Sequence, residues 1–219
     1  PAYFYQLNDK IEFDTIFADL LKRRFLDLRK TDAAGLRDFC AGTEAIFCKP
    51  AGLCGGEGIQ RLVTADIQDY DELYRQLVQG GQLLIEEPIR QHPDMCRLCP
   101  DSVNTVRIVT LVTEQGAQMV YALVRMGMGG VCVDNVSSGG MYAPVNEQGQ
   151  LYRPAFCDKT GKYYERHPVT GTEITGFQIP LFDQALELCR TASKRVEAHL
   201  KYIGWDVAIT PDGPVLVEG

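Results

Sequence analysis

Two strand-like runs, VNTVRIVTLVT and QMVYALVRM, lie between Val103 and Met126 and meet at Gly116, with no room between them for a helix. Strands joined so closely must pair antiparallel, because a parallel return needs a crossover of a dozen or more residues. The chain ends in the same way, with WDVAIT, a PDGP turn and VLVEG making a terminal hairpin. Two such hairpins, with helical periodicity elsewhere, define an α+β fold on mainly antiparallel sheets.

Helices are expected in three places. DTIFADLLKRRFLDLR places Ile16, Phe17, Leu20, Leu21, Phe25 and Leu28 at helical spacing, with Asp14 as the cap. DELYRQLVQ is stopped by Gly80 and Gly81, and a long helix from Leu181 to Tyr202 carries Leu181, Ala185, Leu188, Ala192, Val196 and Leu200 on one stripe. Short strands are expected at EAIFCK (44–49), GIQRLV, QLLIEEPI, VCVDN, MYAPV and LYRPAF. The polar, turn-rich stretch 158–180 reads as a functional loop, in which Lys162, Arg166 and His167 either meet a substrate or are simply solvated.

A chain of 219 residues makes one large domain or two tightly joined lobes. Its formal charge of -7 argues against a nucleic-acid partner, which selects for a basic face. No apolar run is long enough for a membrane span, and the start shows no secretory leader. Eight irregularly spaced cysteines, several inside apolar runs, fit free thiols in a reducing cytoplasm. The oligomeric state is not legible.

Three constellations carry chemistry. FCKPAGLCGGEGI sets Lys49 at a strand end before a loop containing Gly55, Gly56 and Gly58, whose amides are free to fold over phosphate oxygens. A plain glycine-rich hairpin fits the same letters; a P-loop and a dinucleotide fingerprint do not. Asp206 and Glu218 flank the PDGP turn on adjacent strands and read either as solvated strand-end acids or as hard oxygen ligands for Mg2+. Their apolar neighbours favour the cation, because a buried carboxylate needs one. Arg107 in SVNTVRIVTL and Arg125 at the end of the partner strand need an anion unless they snorkel to water. His92, Cys96 and Cys99 have zinc-like spacing, but a single CxxC lacks the four ligands of a structural site.

In order along the chain, NDK (8–10), FCKP with its glycine loop (47–58), LIEEPIRQHP (84–93), NTVRIVTL (104–111), VDNVSSGG (133–140) and GWDVAITPDGPVLVEG (204–219) resemble the ATP-grasp superfamily, most closely its sugar-transfer-associated branch, related to α-L-glutamate ligases. The resemblance implies two α+β lobes clamping a nucleotide, a smaller one over 1–90 with flap and hinge and a larger one over 91–219. It implies Lys10 and Lys49 as phosphate contacts, 52–58 as the flap, and Glu86, Glu87 and Ile89 in the adenine hinge. Arg107 is implied at the transferring phosphoryl group, with Arg125 and Asn135 nearby, and Asp206 and Glu218 as metal ligands. A third ligand, an asparagine, is expected just beyond Gly219, and an amino-terminal lobe before the NDK motif.

The implied activity is ATP-dependent, ADP-forming ligation of a small-molecule carboxylate to an amine or thiol through an acyl phosphate, with Mg2+ or Mn2+, in a sugar-polymer or cell-envelope setting. The competing readings are a kinase of the same fold that phosphorylates a hydroxyl, and a non-catalytic nucleotide- or zinc-binding module.

Overall fold

The computed structural model describes residues 4–52, 58–129, 139–196 and 198–219. Its architecture is α+β, in two compact units, residues 4–88 and residues 89–219.

The first unit opens with helices α1 (Tyr5–Asn8), α2 (Lys10–Ile16) and α3 (Ala18–Leu21). The single helix expected over 14–29 is corrected here. It starts at Asp9, whose carboxylate accepts from the amides of Ile11 (2.9 Å) and Glu12 (3.2 Å), and it ends at Lys22, which is left-handed with φ 50°. Phe25–Asp27 is extended (β1), because Phe25, Leu26 and Asp27 pair with Glu86, Ile85 and Leu84. Sheet pairing overrides the helical period at those letters. Next come α4 (Ala33–Cys40), β2 (Ala45–Lys49), β3 (Gln60–Val63), α5 (Tyr70–Gln79) and β4 (Leu84–Glu86).

The described strands form a sheet of order β1-β4-β2-β3, antiparallel throughout. Leu36, Phe39 and Cys40 of α4 and Leu77 of α5 bury against Ile46, Cys48 and Ile85. The result is an apolar layer beneath a sheet whose strand ends carry Lys49 and Glu86.

The second unit contains α6 (Pro93–Cys96), β5 (Val106–Thr113), β6 (Gly116–Met126), β7 (Met141–Val145), β8 (Ala155–Cys157), β9 (Lys162–Tyr164), α7 (Phe182–Ser193), β10 (Tyr202–Thr210) and β11 (Gly213–Glu218). Its described strands form one antiparallel sheet, β11-β10-β5-β6-β7-β8-β9. Both expected hairpins are present. The long helix stops at Ser193 rather than Tyr202, since Tyr202 and Ile203 are needed in register with Leu111 and Thr110.

The 158–180 stretch is largely exposed, Lys162 and Arg166 included, but it is pinned to the unit at a few buried points. Ile174 and Ile179 are buried, Arg166 bridges Glu173, and His167 is 1% exposed. His167 Nδ1 accepts from the amides of Val169 and Thr170, both at 3.3 Å, so the proton sits on Nε2 and is donated to Gly127 O at 2.8 Å. Burial lowers its pKa, and the ring is a neutral structural pin.

Helix α7 covers one face of the sheet. Thr110 Oγ1 lies 3.4 Å from Ser193 Oγ of α7 and accepts the indole N–H of fully buried Trp205 at 2.9 Å. Val106, Ile108 and Thr110 therefore point to the helix, and alternation turns Arg107 to the opposite face. Among the described residues no helix is long and apolar enough to cross a membrane.

Thr110→Val keeps the shape but leaves the Trp205 N–H without its acceptor. The expected loss is roughly 1–3 kcal/mol, read by urea denaturation; an unchanged midpoint would show that the indole has another acceptor.

Candidate functional site

In the first unit a charged centre forms where β2, β4 and the α2–α3 segment converge. Glu86 is 2% exposed, and its carboxylate accepts from Arg23 Nε at 3.2 Å, pairs with Arg23 Nη2, and pairs with Lys49 Nζ through its other oxygen. Burial pushes the Glu86 pKa up, but Arg23 and Lys49 outweigh it and hold the group well below the usual carboxylate range.

Asp14, on α2 and 1% exposed, stands against this centre with Arg23 Nη2 at 4.0 Å. Ionised, its Oδ2 has no donor; protonated, Asp14 donates to Glu86. Burial and then the charge of Glu86 push its pKa up to about 8. Near neutral pH the centre thus holds two cations against one ionised acid, a surplus suited to an anion.

Lys10, also buried, opens α2, and its amide donates to Ala51 O at 2.9 Å. That bond ties the NDK segment to the chain just after Lys49. Gly58 has φ +74°, which favours glycine, and Gln82 Nε2 donates to its carbonyl at 2.8 Å. Gly55 and Gly56 lie outside the described residues, as does Asn135. Glu87 pairs with Arg24 Nε at 2.7 Å, and Ile89 follows in irregular chain, half-buried.

The second unit holds the other centre on the sheet face opposite α7. Asp206 is fully buried and lies in direct register with Arg107 on β5 and Glu218 on β11. Arg107 grips it with both arms, Nε to Oδ1 at 2.5 Å and Nη2 to Oδ2 at 2.8 Å, and Arg125 Nη2 reaches Oδ2 at 2.5 Å. A side chain at Gly204 would sit 2.9 Å from Arg107 Nη1, so the glycine leaves room for the guanidinium.

Burial pushes the Asp206 pKa up despite Arg125 and Arg107, and the nearby Glu218 adds to the rise. For Arg107 burial works against the charge, and Asp206 overcomes it. Asp206 and Glu218 offer carboxylate oxygens of the kind Mg2+ selects, but both Asp206 oxygens here accept from guanidiniums, and no group of three His, Cys, Asp or Glu side chains assembles among the described residues.

Sequence reasoning missed Arg23, Asp14 as a buried acid, and Gly204. Asp14 had a signal, since it shares a helix face with the buried Ile11, where a capping role would not place it. The zinc reading finds no support in the geometry. His92 Nδ1 accepts from the Asp94 amide, Cys99 is buried against Ser102, and the described residues include no group of three metal-ligating side chains.

Solved structures share this fold. An ATP-grasp ligase, PsnB, complexed with a minimal precursor, Mg and ADP, is 16% identical with TM-score 0.56, over 100% of this chain and 50% of its own. D-alanyl-alanine synthetase A from Vibrio cholerae is 13% identical with TM-score 0.54, over 97% and 55%. L-amino acid ligase from Bacillus licheniformis is 12% identical with TM-score 0.55, over 97% and 40%. The protein thus has an ATP-grasp fold and spans about half the length of these structures. No curated protein sequence matches it. The family described as sugar-transfer associated ATP-grasp matches residues 3–219, and the chain belongs to that family.

The first centre sets a pH dependence. Asp14 binds its proton more tightly folded than unfolded, so its contribution to stability falls as pH rises from about 4 towards 8. Asp14→Asn should flatten the slope of unfolding free energy between pH 5 and pH 8.5; a slope matching the parent would place the titration elsewhere.

Proposed function

We propose that the chain carries the nucleotide- and carboxylate-activating centre of an ADP-forming, ATP- and Mg2+-dependent ligase. The observation that carries the reading is the buried Asp206, in register with Glu218 and gripped by Arg107 and Arg125, in a member of the sugar-transfer associated ATP-grasp family. Residues 1–90 then form the smaller lobe and 91–219 the larger. The solved relatives named above are ligases, one of them with Mg and ADP bound, and they support the same chemistry here.

In the proposed reaction an oxygen of the substrate carboxylate attacks the γ-phosphorus of ATP, the bond to the bridging oxygen breaks, and ADP leaves. An amine or thiol then attacks the acyl carbon of the resulting acyl phosphate, and inorganic phosphate departs. No side chain becomes covalently bound.

Lys49 and Lys10 neutralise phosphate oxygens, with amides of Gly55, Gly56 and Gly58 covering them. The segment from Glu86 through Glu87 to Ile89 holds adenine, and it does so through its backbone, because the Glu86 carboxylate is committed to Arg23 and Lys49. Arg107 and Arg125 offset charge on the phosphoryl group in flight, with Asn135 a further candidate from the family resemblance. Asp206 and Glu218 would hold Mg2+, which supplies charge neutralisation at the phosphates. Such catalysis is positioning plus electrostatics, the usual means for phosphoryl transfer. ATP as substrate and the free thiols of Cys40, Cys48, Cys96, Cys99, Cys157 and Cys189 suit the cytoplasm.

Lys49→Ala should weaken ATP binding at least about tenfold, near 1.4 kcal/mol, with Lys49→Arg retaining part of it. ATP affinity equal to the parent in the alanine variant would remove Lys49 from the site. Full-length protein given ATP, Mg2+ and a panel of amino acids and sugar acids should release ADP and inorganic phosphate together. ADP with a phosphorylated product instead would make it a kinase.

A further inference from the structure

Lys49 closes β2 and Glu86 closes β4, and Phe47 lies directly opposite Glu86, so lysine and acid sit diagonally across the strand pair. Between them in each strand, Cys48 and Ile85 turn to the apolar layer, which leaves Lys49 and Glu86 together on the other face. Arg23 arrives from elsewhere, the segment between α3 and β1. The two cations do not share an oxygen. Arg23 takes Oε1 of Glu86 through Nε at 3.2 Å and also through Nη2, and Lys49 takes Oε2. Either cation can therefore let go without breaking the contact of the other.

They are not equally placed to let go. The side chains of Glu86 and Arg23 are 3% and 5% exposed, whereas that of Lys49, on the last residue of its strand, is 11% exposed. An ammonium is a point charge on a flexible stem, and a guanidinium held through two of its nitrogens is fixed in its plane. Lys49 is the movable arm of the centre, and Arg23 is the fixed one.

That division matters when an anion approaches. A phosphate oxygen that draws the Lys49 ammonium outward takes compensation from Glu86, wholly or in part. A carboxylate so deeply buried is strongly destabilised when its last cation is withdrawn, so Glu86 with Lys49 alone would compete with the ligand for that charge. Arg23 on Oε1 removes the competition. Asp14, 4.0 Å from Arg23 Nη2, does not restore it, because in its protonated form it donates to Glu86 and brings no second negative charge.

We propose that Arg23 is a positioning residue for nucleotide binding, which holds Glu86 so that the Lys49 ammonium is released to a phosphate group. The proposal rests on the reading of Lys49 as a phosphate contact and adds the residue that frees it.

The test is ATP affinity, with Mg2+ present, of full-length protein and its Lys49→Ala, Arg23→Gln, Arg23→Lys and Glu86→Gln variants, together with the Arg23→Gln/Glu86→Gln double variant. Arg23→Gln should weaken binding at least about fivefold and Arg23→Lys should recover part of the loss, whereas in the Glu86→Gln background Arg23→Gln should change affinity by less than about twofold, because a neutral amide no longer holds Lys49. A loss of equal size in both backgrounds marks a structural or long-range charge effect and overturns the proposal, as does parental affinity in Arg23→Gln. A strong loss in Lys49→Ala beside parental affinity in Arg23→Gln removes this proposal alone. Parental affinity in Lys49→Ala removes it together with the reading beneath it.

A measurement on the unaltered protein covers the case in which Arg23→Gln does not fold. In NMR of protein carrying isotope-labelled arginine and lysine, the Arg23 Nε–H should stay protected from solvent exchange as ATP binds, while the Lys49 ammonium signal shifts. Loss of that protection, or a Lys49 signal that does not move, overturns the proposal.

Discussion

A carboxylate as deeply buried as Asp206 must be compensated, and the compensation organises the larger unit. An ionised acid taken out of water without a partner is several kcal/mol unfavourable even after relaxation. Here the partners arrive from two neighbouring strands, Arg107 on β5 and Arg125 on β6, so the acid is satisfied only when β10, β5 and β6 are all in register. A one-residue slip would carry both arginines to the face covered by α7. The arrangement that holds the charges is therefore the arrangement that fixes the pairing.

The smaller unit solves a related problem differently. Glu86 sits at the end of an interior strand, with β1 on one side and β2 on the other, and receives Arg23 and Lys49. Its second acid, Asp14, is relieved by a proton instead of a cation. The two centres consequently differ in net charge. One carries a positive surplus at neutral pH, and the other sets Asp206 against two guanidiniums with Glu218 in register beside it. Those are complementary demands, for an anion in one case and a hard cation in the other.

The parts of this that were legible in the sequence were the local ones. The hairpins over 106–126 and 202–218 announce themselves through alternation and turn residues, and they carry Arg107, Arg125, Asp206 and Glu218 with them. What escaped was decided by distant pairing. Phe25 and Leu28 continue the helical spacing, and Phe25–Asp27 still forms a strand, because β4 offers its free edge. Tyr202, expected to end the helix, is instead a strand residue because Leu111 waits opposite. His167 read as a loop residue that either meets a substrate or is solvated and is instead a buried pin, since only the folded chain reveals the carbonyl of Gly127 beside it. Arg23 gave no local sign of its role, for its partner lies 63 residues away.

One constraint links the charged face to the aromatic one. Because side chains alternate along each strand, the register that turns Arg125 away from α7 also turns Tyr142, its direct neighbour, the same way, and the pairing hands that orientation on to Phe156 and Tyr163. Charge neutralisation near β10 thus settles which way side chains point four strands farther on at β8. The rings share the sheet face that carries the guanidinium holding Asp206.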